Sequence, residues 1–212
     1  MTEDAHEPNR PDPRRRKGLI IVNTGDGKGK TTAALGLAFR ALGSGFKVFM
    51  VQYIKGKWKT GEKKMADRLG GEGQLRPVLR LGPWTLCRPA PAVEEPALQI
   101  RPMGDGFTWD TKNPAQDIAT TLKIWDVSQE AIRSGKYDVV ILDEINVVMK
   151  LGYLDPQVVV DALRERDPRL HVVLTGRGAP PAIIELADLV SEVVPVKHPF
   201  NSGVKAQQGI EF

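Results

Sequence analysis

The chain has a single cysteine, Cys87. An internal disulfide is therefore excluded, as is a cysteine cluster for zinc or iron–sulfur, and a reducing compartment is expected. Long apolar runs are missing too, since none approaches the roughly 20 residues of a membrane helix. The opening stretch, MTEDAHEPNRPDPRRRKG, lacks the apolar core of a signal peptide. These absences point to the cytoplasm and away from a membrane. At 212 residues and 41% hydrophobic content, the chain suits one soluble domain with a complete core. The net charge of +4 owes much to the Arg14–Lys17 run. That run sits on a Pro-rich arm, residues 1–17, whose composition is that of a flexible, solvated tail rather than a nucleic-acid grip.

The most informative stretch is Leu19 to Thr32, LIIVNTGDGKGKTT. Leu19 to Val22 reads as a buried strand that breaks into a glycine-lysine loop and then a helix. Gly25, Gly27 and Gly29 allow a tight backbone with inward N–H groups, Lys30 adds a cation, and Thr31 offers a hydroxyl to a magnesium ion. The loop departs from GxxxxGK[ST] by carrying Thr24 at the first glycine position. In the following helix Ala34, Leu37, Ala38, Ala41 and Leu42 share one face, with Gly43 as the stop, so an anion would sit on the helix N-terminus. Thr24, Gly25, Asp26, Gly27, Lys28, Gly29, Lys30, Thr31 and Thr32 are thus the expected ATP-binding loop.

Further β-prone runs lie at residues 47–54, 138–143, 171–175 and 189–196, mostly separated by helical patterns. Asn113-Pro114 with Gln116 is a helix start, after which Ile118, Leu122, Trp125 and Ile132 follow at helical spacing. Asp155-Pro156 repeats the device. This alternation predicts an α/β fold, a mostly parallel sheet with helices on both faces and ligand loops at the carboxyl ends of the strands. Residues 18–212 form the expected domain. The Pro/Gly-rich stretch 70–106 reads as an insertion or long loop in which Trp84 and Cys87 pack locally. VVILDE, ending in Asp143 and Glu144, resembles a Walker B strand, and both carboxylates are assigned jointly to magnesium, directly or through water. Arg177 in TGRG lies at the carboxyl edge of the sheet, where it could reach phosphate, ribose or a carboxylate, or form a structural ion pair.

The loop, QYIKGKWKTGE, GFTWDT, LDE, TGRG and PVKHPFNSGVKAQQGIEF occur in one order. Together they resemble the P-loop type of ATP:corrinoid adenosyltransferase, over roughly residues 14–212 apart from 70–106. The resemblance implies a P-loop NTPase-like fold and an enzyme that transfers the 5′-deoxyadenosyl group of ATP to the cobalt(I) of a corrinoid, with triphosphate as the leaving group. It also implies that Phe107 and Trp109 help displace the lower axial ligand of the corrinoid, that Lys30 serves the departing triphosphate, and that Arg40 contacts nucleotide. A homodimer in which the N-terminal segment covers the partner's active site, and an electron-donor protein such as a flavodoxin, belong to the same picture. Without the resemblance, Phe107 and Trp109 read as core or loop anchors. His171 reads as structural, and His198 belongs to the C-terminal signature with no role derivable from the residues.

Two other functions compete. A P-loop kinase or ATPase would act at the γ-phosphorus with Asp143 or Glu144 assisting. A nucleotide-dependent nucleic-acid-binding module would use the basic N-terminus, but no sustained basic face extends beyond residues 14–17 and 55–64.

Overall fold

A computed structural model describes residues 17–56, 60–69, 75–81, 84–89, 96–104 and 113–210. The elements follow in the order β1 (Ile20–Thr24), α1 (Lys30–Gly43), β2 (Val48–Gln52), α2 (Gly61–Leu69), β3 (Leu75–Leu81), β4 (Trp84–Pro89), β5 (Leu98–Pro102), α3 (Pro114–Arg133), β6 (Val139–Asp143), α4 (Ile145–Lys150), α5 (Pro156–Glu165), β7 (His171–Thr175), α6 (Pro181–Leu186) and β8 (Leu189–Glu192). A short 3-10 turn at Pro199–Ser202 follows. Six strands form one sheet in the order β5-β2-β6-β7-β1-β8. Every pairing in it is parallel.

Side-chain alternation along these strands feeds two cores. Val22, Phe49, Val51, Val140, Leu142, Val172 and Leu174 point to one face, where α3, α4, α5 and α6 supply Ile124, Trp125, Ile145, Val148, Leu163 and Ile183. Their neighbours Ile21, Val48, Met50, Val139, Ile141 and Val173 point to the other, against Ala34, Ala38 and Ala41 of α1 and Ala66 of α2. Strands buried on both sides explain why the sequence shows apolar runs there rather than polar alternation. Small alanines let α1 lie close to the sheet, and Leu37 and Leu42 pack at the margin of that core, as the helical spacing predicts.

The helix starts at Asn113 and Asp155 form as expected. Asn113 Oδ1 accepts from the Gln116 N–H at 3.3 Å and Asp155 Oδ1 from the Gln157 N–H at 2.9 Å, each followed by Pro in the first turn. Two expectations need correction. Ile118 and Leu122 are exposed, at 38% and 47%; the buried face of α3 instead carries Asp117, Thr121, Ile124, Trp125, Ser128, Ala131 and Ile132. That buried face includes Ser128, whose hydroxyl lies 2.8 Å from the Tyr53 hydroxyl. Nor is the stretch 70–106, expected as an insertion or long loop, free of regular structure. It contains the antiparallel β3–β4 hairpin and then β5, an edge strand of the main sheet that pairs with β2 from Val48↔Leu98 to Gln52↔Pro102. The predicted strand over 189–196 ends at Glu192, because the chain there turns over the loop after β1.

Candidate active site

The turn between β1 and α1 is shaped by what crosses it. Gly27 donates its N–H to the Val193 carbonyl at 2.7 Å. A Cβ on Gly25 would stand 2.5 Å from that same oxygen, and one on Gly27 2.8 Å, so any larger side chain would push the segment after β8 away. Gly25 also has φ +90, a conformation costly for other residues. Thr24 replaces the usual first glycine without strain, and its Oγ1 accepts from the Ala179 N–H at 3.1 Å, tying this loop to the one after β7. Helix α1 then begins at Lys30 with no side-chain cap and no acidic residue in its first turn. Its first amides and dipole are thereby left to favour an anion.

Lys30 folds back into the loop, where Nζ donates to the Gly25 carbonyl at 2.8 Å and the Gly27 carbonyl at 2.6 Å. Burial lowers the pKa of this ammonium, Glu144 and Asp26 pull it back up, and Arg177 adds to the lowering. Thr31 Oγ1 donates to Asp143 Oδ1 at 2.8 Å. Asp143 has no solvent exposure and accepts two further hydrogen bonds, from Thr175 Oγ1 at 2.8 Å and from Gln52 Nε2 at 3.1 Å. The Thr175 oxygen in turn accepts from the Glu144 N–H at 2.9 Å, so the ends of β6 and β7 are locked together. A hydroxyl and a carboxylate meeting beside the phosphate loop are hard oxygen donors. They suit a magnesium ion that completes its shell with water and phosphate.

Glu144 is the only non-glycine residue with positive φ, at 66°, among the described residues. Strain of that kind marks a position fixed by its surroundings. Burial raises the Glu144 pKa and the adjacent Asp143 charge raises it further, against the opposing pull of Lys30, Lys55 and Arg177. Both carboxylates assigned from the sequence are therefore at the loop, but in different environments. Asp143 is hydrogen-bonded directly to Thr31, whereas Glu144 sits beside Gly176, whose Cβ position would lie 3.2 Å from Glu144 Oε2.

The remaining predicted residues divide. Arg177 is exposed and lies 4.0 Å from Asp26, itself exposed, across the mouth of the site. Lys28, Gly29 and Thr32 are at the surface of the loop and first turn. Arg40 is in the last turn of α1, about 15 Å along the helix axis from Lys30, so the fold does not bring it to the phosphate loop. Phe107 and Trp109 lie outside the described residues. Sequence reasoning missed Gln52, Lys55 and Glu62. Gln52 Nε2 also reaches Glu62 Oε1 at 3.4 Å, and Lys55 Nζ donates to that oxygen at 3.0 Å. The one available signal was their place in QYIKGKWKTGE directly after an apolar strand.

A family model described as ATP:corrinoid adenosyltransferase BtuR/CobO/CobP matches residues 16–212. The chain belongs to this adenosyltransferase family. Corrinoid adenosyltransferases of Sinorhizobium sp and Escherichia coli strain K12 are 43% and 42% identical to it over 197 and 196 residues. Both alignments cover 92% of this chain, and 81% and 86% of the respective relatives. Corrinoid adenosyltransferase CobA of Salmonella typhimurium strain LT2 is 39% identical over 196 residues, 92% of this chain and 86% of that protein. Among solved structures, flagellar accessory protein FlaH of Methanocaldococcus jannaschii superposes with a TM-score of 0.50 at 13% identity, over 84% of this chain and 71% of that one. That likeness concerns the fold alone. In this corrinoid adenosyltransferase the loop, Lys30 and the Thr31–Asp143 pair lie together at the carboxyl end of the sheet. The kinase and nucleic-acid readings lose their support to this membership.

Proposed function

We propose that this protein transfers the 5′-deoxyadenosyl group of ATP to the cobalt(I) of a corrinoid in adenosylcobalamin biosynthesis or salvage. The electron pair of cobalt(I) attacks the 5′-carbon and becomes the cobalt–carbon bond, while the carbon–oxygen bond breaks and triphosphate leaves with the electrons of that bond. The metal centre is the nucleophile and belongs to the substrate, so the protein's task is to position ATP and neutralise the leaving group. The observation that carries the reading is the composition of the site within a chain of this family. Lys30, Thr31, Asp143, Glu144 and Arg177 bind and balance charge around an anion cradle.

Thr31 and Asp143 would hold magnesium, with Glu144 acting directly or through water. When bound, the ion supplies positive charge to the triphosphate oxygens. Phe107 and Trp109 would offer an apolar face that keeps water and the lower ligand from the corrinoid, favouring the four-coordinate state from which cobalt(I) is accessible. A homodimer, a cytoplasmic location and a reducing partner such as a flavodoxin complete the proposal. Among the described residues, no helix is long and apolar enough to cross a membrane. The test is anaerobic: protein, ATP, magnesium and chemically reduced cob(I)alamin should give the visible spectrum of adenosylcobalamin. An unchanged spectrum over many equivalents of ATP would refute the reading.

A further inference from the structure

Lys55 follows β2 and shares the loop-bearing end of the sheet with Asp143. Its ammonium stands 3.0 Å from Glu62 Oε1 and 4.0 Å from Asp143 Oδ2, with the Lys55 side chain 29% exposed and that of Glu62 14%. The first distance is a hydrogen bond and the second is beyond one. Between the two carboxylates lies fully buried Gln52, whose Nε2 bonds both and whose Oε1 is buried without a hydrogen-bond partner. Burial pushes the Glu62 carboxyl upward, but its own backbone N–H, Lys55 and Gln52 together hold it below the usual range.

The backbone beneath this cluster is clamped. Met103 N–H donates to the Gln52 carbonyl and Gly104 N–H to the Lys55 carbonyl, both at 3.2 Å. Gly104 approaches so closely that a Cβ there would lie 2.4 Å from the carbonyl oxygens of Tyr53 and Ile54. The root of the Lys55 side chain is therefore fixed while its four-carbon stem can turn. Asp143 divides its two oxygens: Oδ1 faces Thr31 and Thr175, and Oδ2 faces Gln52 and Lys55. Lys30 approaches the site from the loop side and Lys55 from the β2 side, and both charges bear on Glu144.

We propose that Lys55 is a second cationic ligand of the triphosphate, held beside Asp143 by Glu62 and Gln52, and that it moves from Glu62 to phosphate oxygens opposite Lys30 when nucleotide binds. A simple structural ion pair would need neither the buried amide tethering Glu62 to Asp143 nor a position at the mouth of an anion site. Negative charge accumulates on the triphosphate as the carbon–oxygen bond breaks, so the contact favours bound triphosphate over bound ATP. The inference takes its leaving group from the adenosyltransfer reading, but inorganic triphosphate tests it apart from turnover.

Magnesium and inorganic triphosphate, and separately ATP, would be titrated calorimetrically into the full chain and its Lys55→Met, Lys55→Arg and Glu62→Gln variants. Lys55→Met should weaken triphosphate binding by about 10- to 100-fold, the scale of a lost hydrogen bond to a charged group, and weaken ATP less. Lys55→Arg should recover most of the loss. Glu62→Gln, which frees the ammonium, should bind triphosphate at least as tightly as the wild type. Wild-type affinity in Lys55→Met, or equal weakening in Lys55→Met and Glu62→Gln, would overturn the proposal. If Lys55→Met folds poorly, Glu62→Gln decides alone, because weaker binding there contradicts a holding role. Normal transfer with unaltered triphosphate affinity in Lys55→Met removes only the role of Lys55. The expected affinities without any transfer by the wild type remove only the adenosyltransfer reading.

Discussion

The two ends of the six-stranded sheet use polar residues in opposite ways. At the amino end, polar side chains satisfy the backbone: Asp138 accepts from the Lys47 N–H at 2.8 Å, His171 Nδ1 from the Leu19 N–H at 3.1 Å and Asp188 from the Ile20 N–H at 2.9 Å. At the carboxyl end, polar side chains are pressed against one another. Asp143, Glu144, Gln52, Glu62, Lys30, Lys55 and Thr31 share a small volume, an amide oxygen lacks a partner, and a glutamate adopts positive φ. Groups of the first kind hold strand ends together. Groups of the second kind are costly without a ligand and are worth their cost only if something charged is to bind.

Lys30→Ala should have the largest effect, abolishing triphosphate release or reducing it by about 10²–10³-fold or more, with the fold intact by circular dichroism. Asp143→Asn should lower magnesium-dependent turnover by about 10²-fold while costing only about 1 kcal/mol of stability. The small cost follows because turning the Gln52 amide would bring its unpartnered Oε1 to the new amide in place of the Nε2 that donates to Asp143 Oδ2. A denaturant melt showing a much larger loss would mean that Asp143 is chiefly structural. Phe107→Ala should impair the reaction from cob(II)alamin more than that from pre-reduced cob(I)alamin, as parallel assays with the two forms would show. Equal impairment in both would count against ligand displacement.

The smallest effect belongs to the amino end. Asp188 has its carboxyl pKa lowered, first by Lys17 and then by the Ile20 N–H, from an ordinary value of 3.8. A carboxylate depressed in the folded state stabilises it above the unfolded pKa, and that contribution disappears as pH falls from about 4 through the lower folded value. Asp188→Asn should therefore reduce stability slightly at neutral pH and flatten the acid limb of a melting curve, leaving turnover unchanged. A change in turnover would erase the division between the two ends.

Most of the sheet was legible because its determinants are local. Apolar runs at 47–54, 138–143 and 171–175 mark strands buried on both faces, and the Asn-Pro and Asp-Pro steps mark helix starts whose caps form as expected. β5 escaped notice because LQIRP is short and lies among prolines and glycines that read as loop. The loop, Lys30, Thr31 and both carboxylates were legible from composition and spacing. Gln52, Lys55 and Glu62 were not, because they reach the site through the lateral pairing of β2 with β6, which sets Gln52 directly beside Asp143. Strand order is a property of the whole fold, and no short stretch encodes it. The same reason hides the approach of Val193 to Gly27, which closes the loop from the far end of the chain.

Attack on carbon rather than phosphorus would release triphosphate intact. Phosphorus NMR of a reaction containing ATP, magnesium and cob(I)alamin measures that directly. Inorganic triphosphate is expected in a one-to-one ratio with adenosylcobalamin, with no ADP formed. ADP and inorganic phosphate without a cobalt–carbon product would contradict it and return the loop to phosphoryl transfer.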